Sequence, residues 1–183
     1  MKLWKLIAVF VLALGLCGCK QAGVTQEDIT AHYQNRSFSA EYTVTTHSGF
    51  CVEYQLSCIW QNDVAQVKIL QPQSVAGITA VVQGAEAMLQ YEDISLDAML
   101  PEIPGYSPMD MLHQLLMDLQ TSAEFSGKES GSVVLEYRSN YKDGTEVLKI
   151  LTLDETSLDL QKAECYLDGS LILTLKMEKL QWL

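Results

Sequence analysis

Phe38-Ser39-Ala40-Glu41-Tyr42-Thr43-Val44-Thr45 decides the fold of this 183-residue chain. Phe38, Ala40, Tyr42 and Val44 alternate with Ser37, Ser39, Glu41, Thr43 and Thr45, the period-two pattern of a strand with one apolar and one wet face. The next segment repeats it. Val52, Tyr54, Leu56, Cys58 and Trp60 alternate with Glu53, Gln55 and Ser57, and His47-Ser48-Gly49 supplies the turn. Asn62-Asp63 turns the chain into a third strand with Ala65, Val67 and Ile69 on one face, which ends at Gln71-Pro72 because proline cannot donate to a ladder.

The pattern continues outward in both directions. Residues 78–82, 87–91 and 94–96 read as short strands separated by Gln83-Gly84 and Glu92-Asp93. Prolines 101, 104 and 108 interrupt the sheet, and Ser107 as N-cap with Pro108 at the first helical position opens a helix. Met109, Leu112, Leu115, Leu116 and Leu119 give that helix one broad apolar stripe. Alternation returns in Val133, Leu135 and Tyr137, then Val147, Lys149 and Leu151 after Asp143-Gly144. Asp168-Gly169 joins a strand near 160–166 to a long last strand near 171–180, and Asp-Gly between alternating runs is a strong hairpin signal. Upstream, Thr25 with Glu27 and Asp28 marks the start of a short helix to about Gln34. The expected class is α+β, mostly β: nine or ten antiparallel strands in a curved sheet, with helices on its apolar concave face.

The N-terminus reads as an export signal. Lys2 and Lys5 precede an apolar run from Leu6 to Leu14, too short to span a bilayer as a helix, which needs roughly 20 residues. Leu16-Cys17-Gly18-Cys19 resembles the bacterial lipobox, with Cys19 as the lipid-attachment residue; bulky Leu16 at the scissile position argues against Cys17. The expected organisation is therefore a signal peptide over 1–18, a lipidated tether over 19–25 and one domain over 26–183. Two acyl chains on Cys19 make a stable membrane anchor, because each buried methylene contributes about 0.8 kcal/mol.

Removing residues 1–18 takes away Lys2 and Lys5, and the formal charge moves from −11 to −13. So acidic a chain is expected to bind no nucleic acid and to gain nothing from anionic lipid beyond its anchor. A hydrophobic fraction of 48% excludes a disordered stalk. Cys51, Cys58 and Cys165 remain, an odd set in which at most one disulfide can form. Cys51 and Cys58 fall seven apart on one predicted strand and point to opposite faces, so small buried hydrophobes are the plainer reading.

Signatures of catalysis are missing. The mature chain has no Gly-x-Ser-x-Gly, His-Glu-x-x-His or Cys-x-x-Cys, and Gly127-Lys128 lacks the earlier glycine and following hydroxyl of a phosphate loop. His113, beside Leu112, reads as a helix-surface or partly packed histidine, and His32 and His47 have no partner pattern. Glu92-Asp93 and Asp154-Glu155 sit at turns where solvated carboxylates are the default. Asn35-Arg36-Ser37 matches a glycosylation sequon by chance. No enzyme activity, cofactor or metal is expected.

Several segments carry a family resemblance: Phe38-Ser39-Ala40-Glu41-Tyr42, Gln71-Pro72 with Gly77-Ile78-Thr79, and Asp154-Glu155 through Ala163-Glu164-Cys165-Tyr166-Leu167-Asp168-Gly169. With the order helix, strand meander, helix, strands, the chain resembles the LolA and LolB lipoprotein-carrier superfamily, and within it the GerS-like lipoproteins of spore-forming Clostridia. The resemblance implies a half-barrel suited to acyl chains. It also implies an anchored, extracytoplasmic protein that serves spore germination through a partner in cortex peptidoglycan processing. Open sheet edges make strand addition, or a homodimer by strand exchange, physically available. The alternative is a lipid or lipoprotein carrier or acceptor whose cavity is lined around Tyr42, Tyr54, Trp60 and Leu116, although an ordinary packed core is the plainer reading of these residues.

Overall fold

A computed structural model describes residues 24–183; Cys19, the signal peptide and most of the tether lie outside them. Eleven strands form one antiparallel sheet: β1 (Phe38–Thr46), β2 (Val52–Gln61), β3 (Val64–Gln71), β4 (Thr79–Gln83), β5 (Glu86–Tyr91), β6 (Ile94–Met99), β7 (Phe125–Glu129), β8 (Ser132–Asn140), β9 (Glu146–Asp154), β10 (Leu160–Leu167) and β11 (Ser170–Trp182). Helix α1 (Gln26–Tyr33) precedes the sheet and α2 (Met111–Leu119) connects β6 to β7. The class is α+β, mostly β, as the alternation implies, with β7 an additional strand.

Strand order is β6-β5-β4-β3-β2-β1-β11-β10-β9-β8-β7. Two meanders thus join at their ends through β1 and β11, which leaves β6 and β7 as opposite edges. Tight turns set each hairpin. Asn62 and Asp63 both have positive φ (53° and 59°), as do Asp168 and Gly169 (48° and 75°), the left-handed pair that matches the twist of flanking strands.

The sheet curls. Lys149 of β9 bonds Asp118 of α2, while residues of β5 and β6 line a cavity with His113 of the same helix. In a flat sheet β6 and β9 would lie eight steps, roughly 38 Å, apart, and a helix is only about 10 Å across, so the sheet must wrap around it. Register shifts at Glu41/Tyr42, Gln55/Leu56, Leu160/Lys162 and Cys165/Tyr166 put bulges in the central strands, where extra twist and bending are needed.

The core fills the concave side. Phe38, Ala40, Tyr42 and Val44 are buried there with Leu56, Cys58, Trp60, Val67, Leu135, Leu151, Cys165 and Leu175. Helix α1 is stapled on by Tyr33, whose hydroxyl donates to the Leu158 carbonyl (2.9 Å) and accepts from the Leu160 amide (2.8 Å). Thr25 caps that helix in a reciprocal box with Asp28. Among the described residues no helix is long and apolar enough to cross a membrane.

Candidate functional site

Residues 100–110 cross from the β6 edge into the concave side, and their polar groups are satisfied internally. Asp110, fully buried, accepts from the Gly105 amide (2.8 Å), the Ser107 amide (2.9 Å) and the Ser107 hydroxyl (2.7 Å). Tyr106 donates its hydroxyl to the Tyr166 carbonyl of β10 (2.5 Å), strapping the loop to the far side of the sheet. The N-cap is Asp110 and not the expected Ser107: the regular helix starts only at Met111, and Ser107 heads a separate turn in which its hydroxyl accepts from the Asp110 amide (3.4 Å) and its carbonyl from the Met111 N–H.

Helix α2 is buried on more than one stripe. Met111, Leu112, Leu115, Leu116 and Leu119 are enclosed, and so is His113. Of the two readings of His113, helix-surface or partly packed, the structure takes the packed one: in a wrapped sheet a helix has strands on several sides, so a polar position between leucines can face protein instead of water. The His113 ring lies tilted against Trp60 at 5.7 Å, and its Nε2 has no hydrogen-bond partner. Burial depresses its pKa below the usual imidazole value, against opposing pulls from Asp110 and Asp63.

Between this helix and the β4–β6 end of the sheet lies an open cavity of about 970 Å3, lined by Ala87, Met88, Ala98 and His113 together with the carboxylates Glu86 and Asp97 among others. Tyr42, Tyr54, Trp60 and Leu116 do not line it. Tyr42, Trp60 and Leu116 are buried and Tyr54 is half-buried against them, so these four sit in the packed core. Tyr42 is so enclosed that its hydroxyl lacks a partner and burial holds its pKa well above the phenol value.

Beside the cavity, apolar surface stays uncovered. One row of paired residues on the concave face runs Ala40, Cys58, Val67, Ala80, Leu89, Leu96 across six neighbouring strands. Its first four members are at most 4% exposed, but Leu89 is 36% and Leu96 62% exposed. The next row adds Tyr91 paired with Ile94, at 47% and 60%. Beyond them β6 is the sheet edge, and among the described residues Ile94–Met99 make no backbone bond outside the β5 ladder.

The other edge differs. Strand β7 has five residues, carries Lys128 paired to Glu155, and is approached by α1 through Gln26, whose amide donates to the Thr121 carbonyl (2.7 Å). The β5–β6 surface also belongs to a stretch, residues 69–127, with eight acids and no lysine or arginine. Both features have a signal in the sequence: the missing cations, and the apolar-rich hairpin 87–96.

Cys58 and Cys165 are buried, with their thiols pushed up to about 12 by desolvation, whereas Cys51 is exposed just ahead of β2; all three are free. No group of three His, Cys, Asp or Glu among the described residues comes together to hold a metal ion.

No protein-family model matches the chain, and no curated protein matches it in sequence. Solved structures do. An uncharacterized conserved protein from Thermus thermophilus superposes with TM-score 0.52 at 9% identity, over 85% of this chain and 84% of that one. A chain of the complex of the CwlD amidase with the GerS lipoprotein from Clostridioides difficile gives 0.48 at 19%, covering 87% and 97%. A LolA superfamily protein from Nitrosomonas europaea gives 0.47 at 12%, covering 87% and 94%. LolA superfamily and GerS structures are thus among those similar to this chain. The likeness is one of fold.

Proposed function

We propose that this chain is a membrane-anchored, non-catalytic lipoprotein of the cell envelope that binds a protein partner in spore germination or cortex processing. One observation carries the binding role: the concave apolar rows continue past the helix onto β5 and β6, where Leu89, Tyr91, Ile94 and Leu96 remain exposed at an unpaired edge. Apolar surface of this kind, rimmed by polar residues, marks interaction sites in stable domains. The lipobox at Cys19 and the resemblance to GerS-like lipoproteins support the envelope setting.

Two measurements test it. Intact mass of the membrane-extracted protein should show a diacylglyceryl cysteine at the mature N-terminus; an unmodified Cys19 contradicts the anchor. Affinity isolation from sporulating cells should retain an envelope protein that Leu96→Glu releases, and a chain that retains none in either form contradicts the binding role.

A second reading has its own observation. The cavity beside His113 is large enough for an acyl chain, and Val81, Ala87, Met88, Ala98 and Leu100 give its mixed lining an apolar part, which supports a lipid or lipoprotein carrier or acceptor. Native mass spectrometry separates the two, since a carrier copurifies with lipid that Ala98→Trp displaces.

A further inference from the structure

We propose that the free edge of β6 accepts an extended strand from a protein partner in which apolar residues alternate with lysine or arginine. The proposal rests on the partner-binding role and assigns the chemistry of the partner. An edge strand offers alternate unpaired N–H and C=O groups, and added strands take their affinity from those bonds and their specificity from alternate side chains. Natural sheets usually guard such edges with lysine, proline or a covering segment. Residues 94–99 contain no lysine or proline, and among the described residues no backbone group caps them.

The two faces of β6 differ. Ile94, Leu96 and Ala98 continue the concave apolar rows, opposite Tyr91, Leu89 and Ala87. Ser95, Asp97 and the exposed Met99 alternate with them on the opposite face of the strand, and Glu86, Glu92, Asp93 and Glu102 stand exposed around the hairpin. An incoming strand therefore meets apolar side chains on one face and Asp97 on the other, with the turn carboxylates Glu92 and Asp93 at one end and Glu86 and Glu102 at the other. No lysine or arginine occurs between Lys68 and Lys128 to neutralise them, so the local field selects for cations. The same field disfavours a second copy of this chain, because β6 paired with β6 would gather Asp97, Glu92 and Asp93 of both copies along one seam, and like charges across strands are destabilising. It equally disfavours an anionic lipid surface.

The full lipoprotein in neutral detergent is titrated with a fluorescent eight-residue peptide alternating valine and lysine, and with its valine–glutamate counterpart. Binding of the lysine peptide is expected to be about tenfold or more tighter, with hydrogen-exchange protection centred on Ile94–Met99. The exposed substitution Asp97→Lys should reverse the preference between the peptides. Equal binding of both, protection elsewhere, protection by phosphatidylglycerol vesicles in place of peptide, or a dimer whose interface is β6 each overturns the proposal. If Asp97→Lys and Leu96→Glu leave the cellular partner bound, the strand chemistry falls and the partner role stands; if wild type captures no partner, the role itself falls.

Discussion

Lys149 is buried on the concave face of β9, where its ammonium meets Asp118 of α2 at 2.8 Å. Removing one member of so enclosed a pair strands the other charge, so Lys149→Ala is expected to lower stability by about 3 kcal/mol in urea unfolding, while a Lys149→Met, Asp118→Leu double variant should recover most of it. The inward position of Lys149 is legible in the sequence, since it alternates in register with Val147 and Leu151. Its partner is not, because the pairing depends on how the sheet curls around α2. His113 behaves similarly. Its folded pKa lies below the ordinary imidazole value of 6.5, so the unfolded chain binds a proton that the folded chain refuses. Its contribution to stability is therefore full above about pH 6.5 and falls on acidification toward the folded value. His113→Leu should flatten that part of the pH–stability curve. Asp143 and Asp154, whose carboxyls are held low by backbone and hydroxyl donors in their turns, act in a separate window below the ordinary carboxylate range.

Among the elements, the 100–110 crossing fixes where α2 sits and hence how much of β5–β6 stays bare. Gly105 has φ of +84°, and a Cβ there would stand 3.0 Å from the Gln114 Cβ. Gly105→Ala is expected to cost about 2 kcal/mol from strain and crowding together. Asp110→Ala leaves the buried Gly105 amide without its acceptor and should cost at least as much, about 2–3 kcal/mol, with raised hydrogen exchange confined to residues 100–110. Strands with clean alternation, β1 to β3 and β8 to β11, can be read from sequence, as can their turns. Strand β7 cannot: Phe125-Ser126-Gly127-Lys128-Glu129 has no period of two, and its place is set by pairing with β8. The sequence places the start of α2 one turn early: Ser107 heads a separate turn over Pro108 to Asp110, and Asp110 is the N-cap of the regular helix.

At the scale of the whole molecule, an open sheet of eleven strands has more concave surface than two helices of eight and nine residues can cover. The central strands are sealed by α2 and the crossing loop, and what remains uncovered is concentrated at one acidic, apolar edge. That asymmetry fits the packed-core reading of the residues named as cavity candidates: Tyr42, Trp60 and Leu116 are buried behind His113, which lines the opening on its other side. Pattern alone tells which face of a strand is apolar. It does not tell which parts of that face the two helices will reach.

A photo-activatable amino acid at position 96, incorporated into the full lipoprotein in intact sporulating cells, tests the central claim most directly, with position 129 on the β7 edge as the control. Cross-linking from 96 to one envelope protein of discrete mass, absent from 129, is the expected result. Cross-links from 96 that reach only lipid, or a protein adduct that forms from 129 and not from 96, would contradict it.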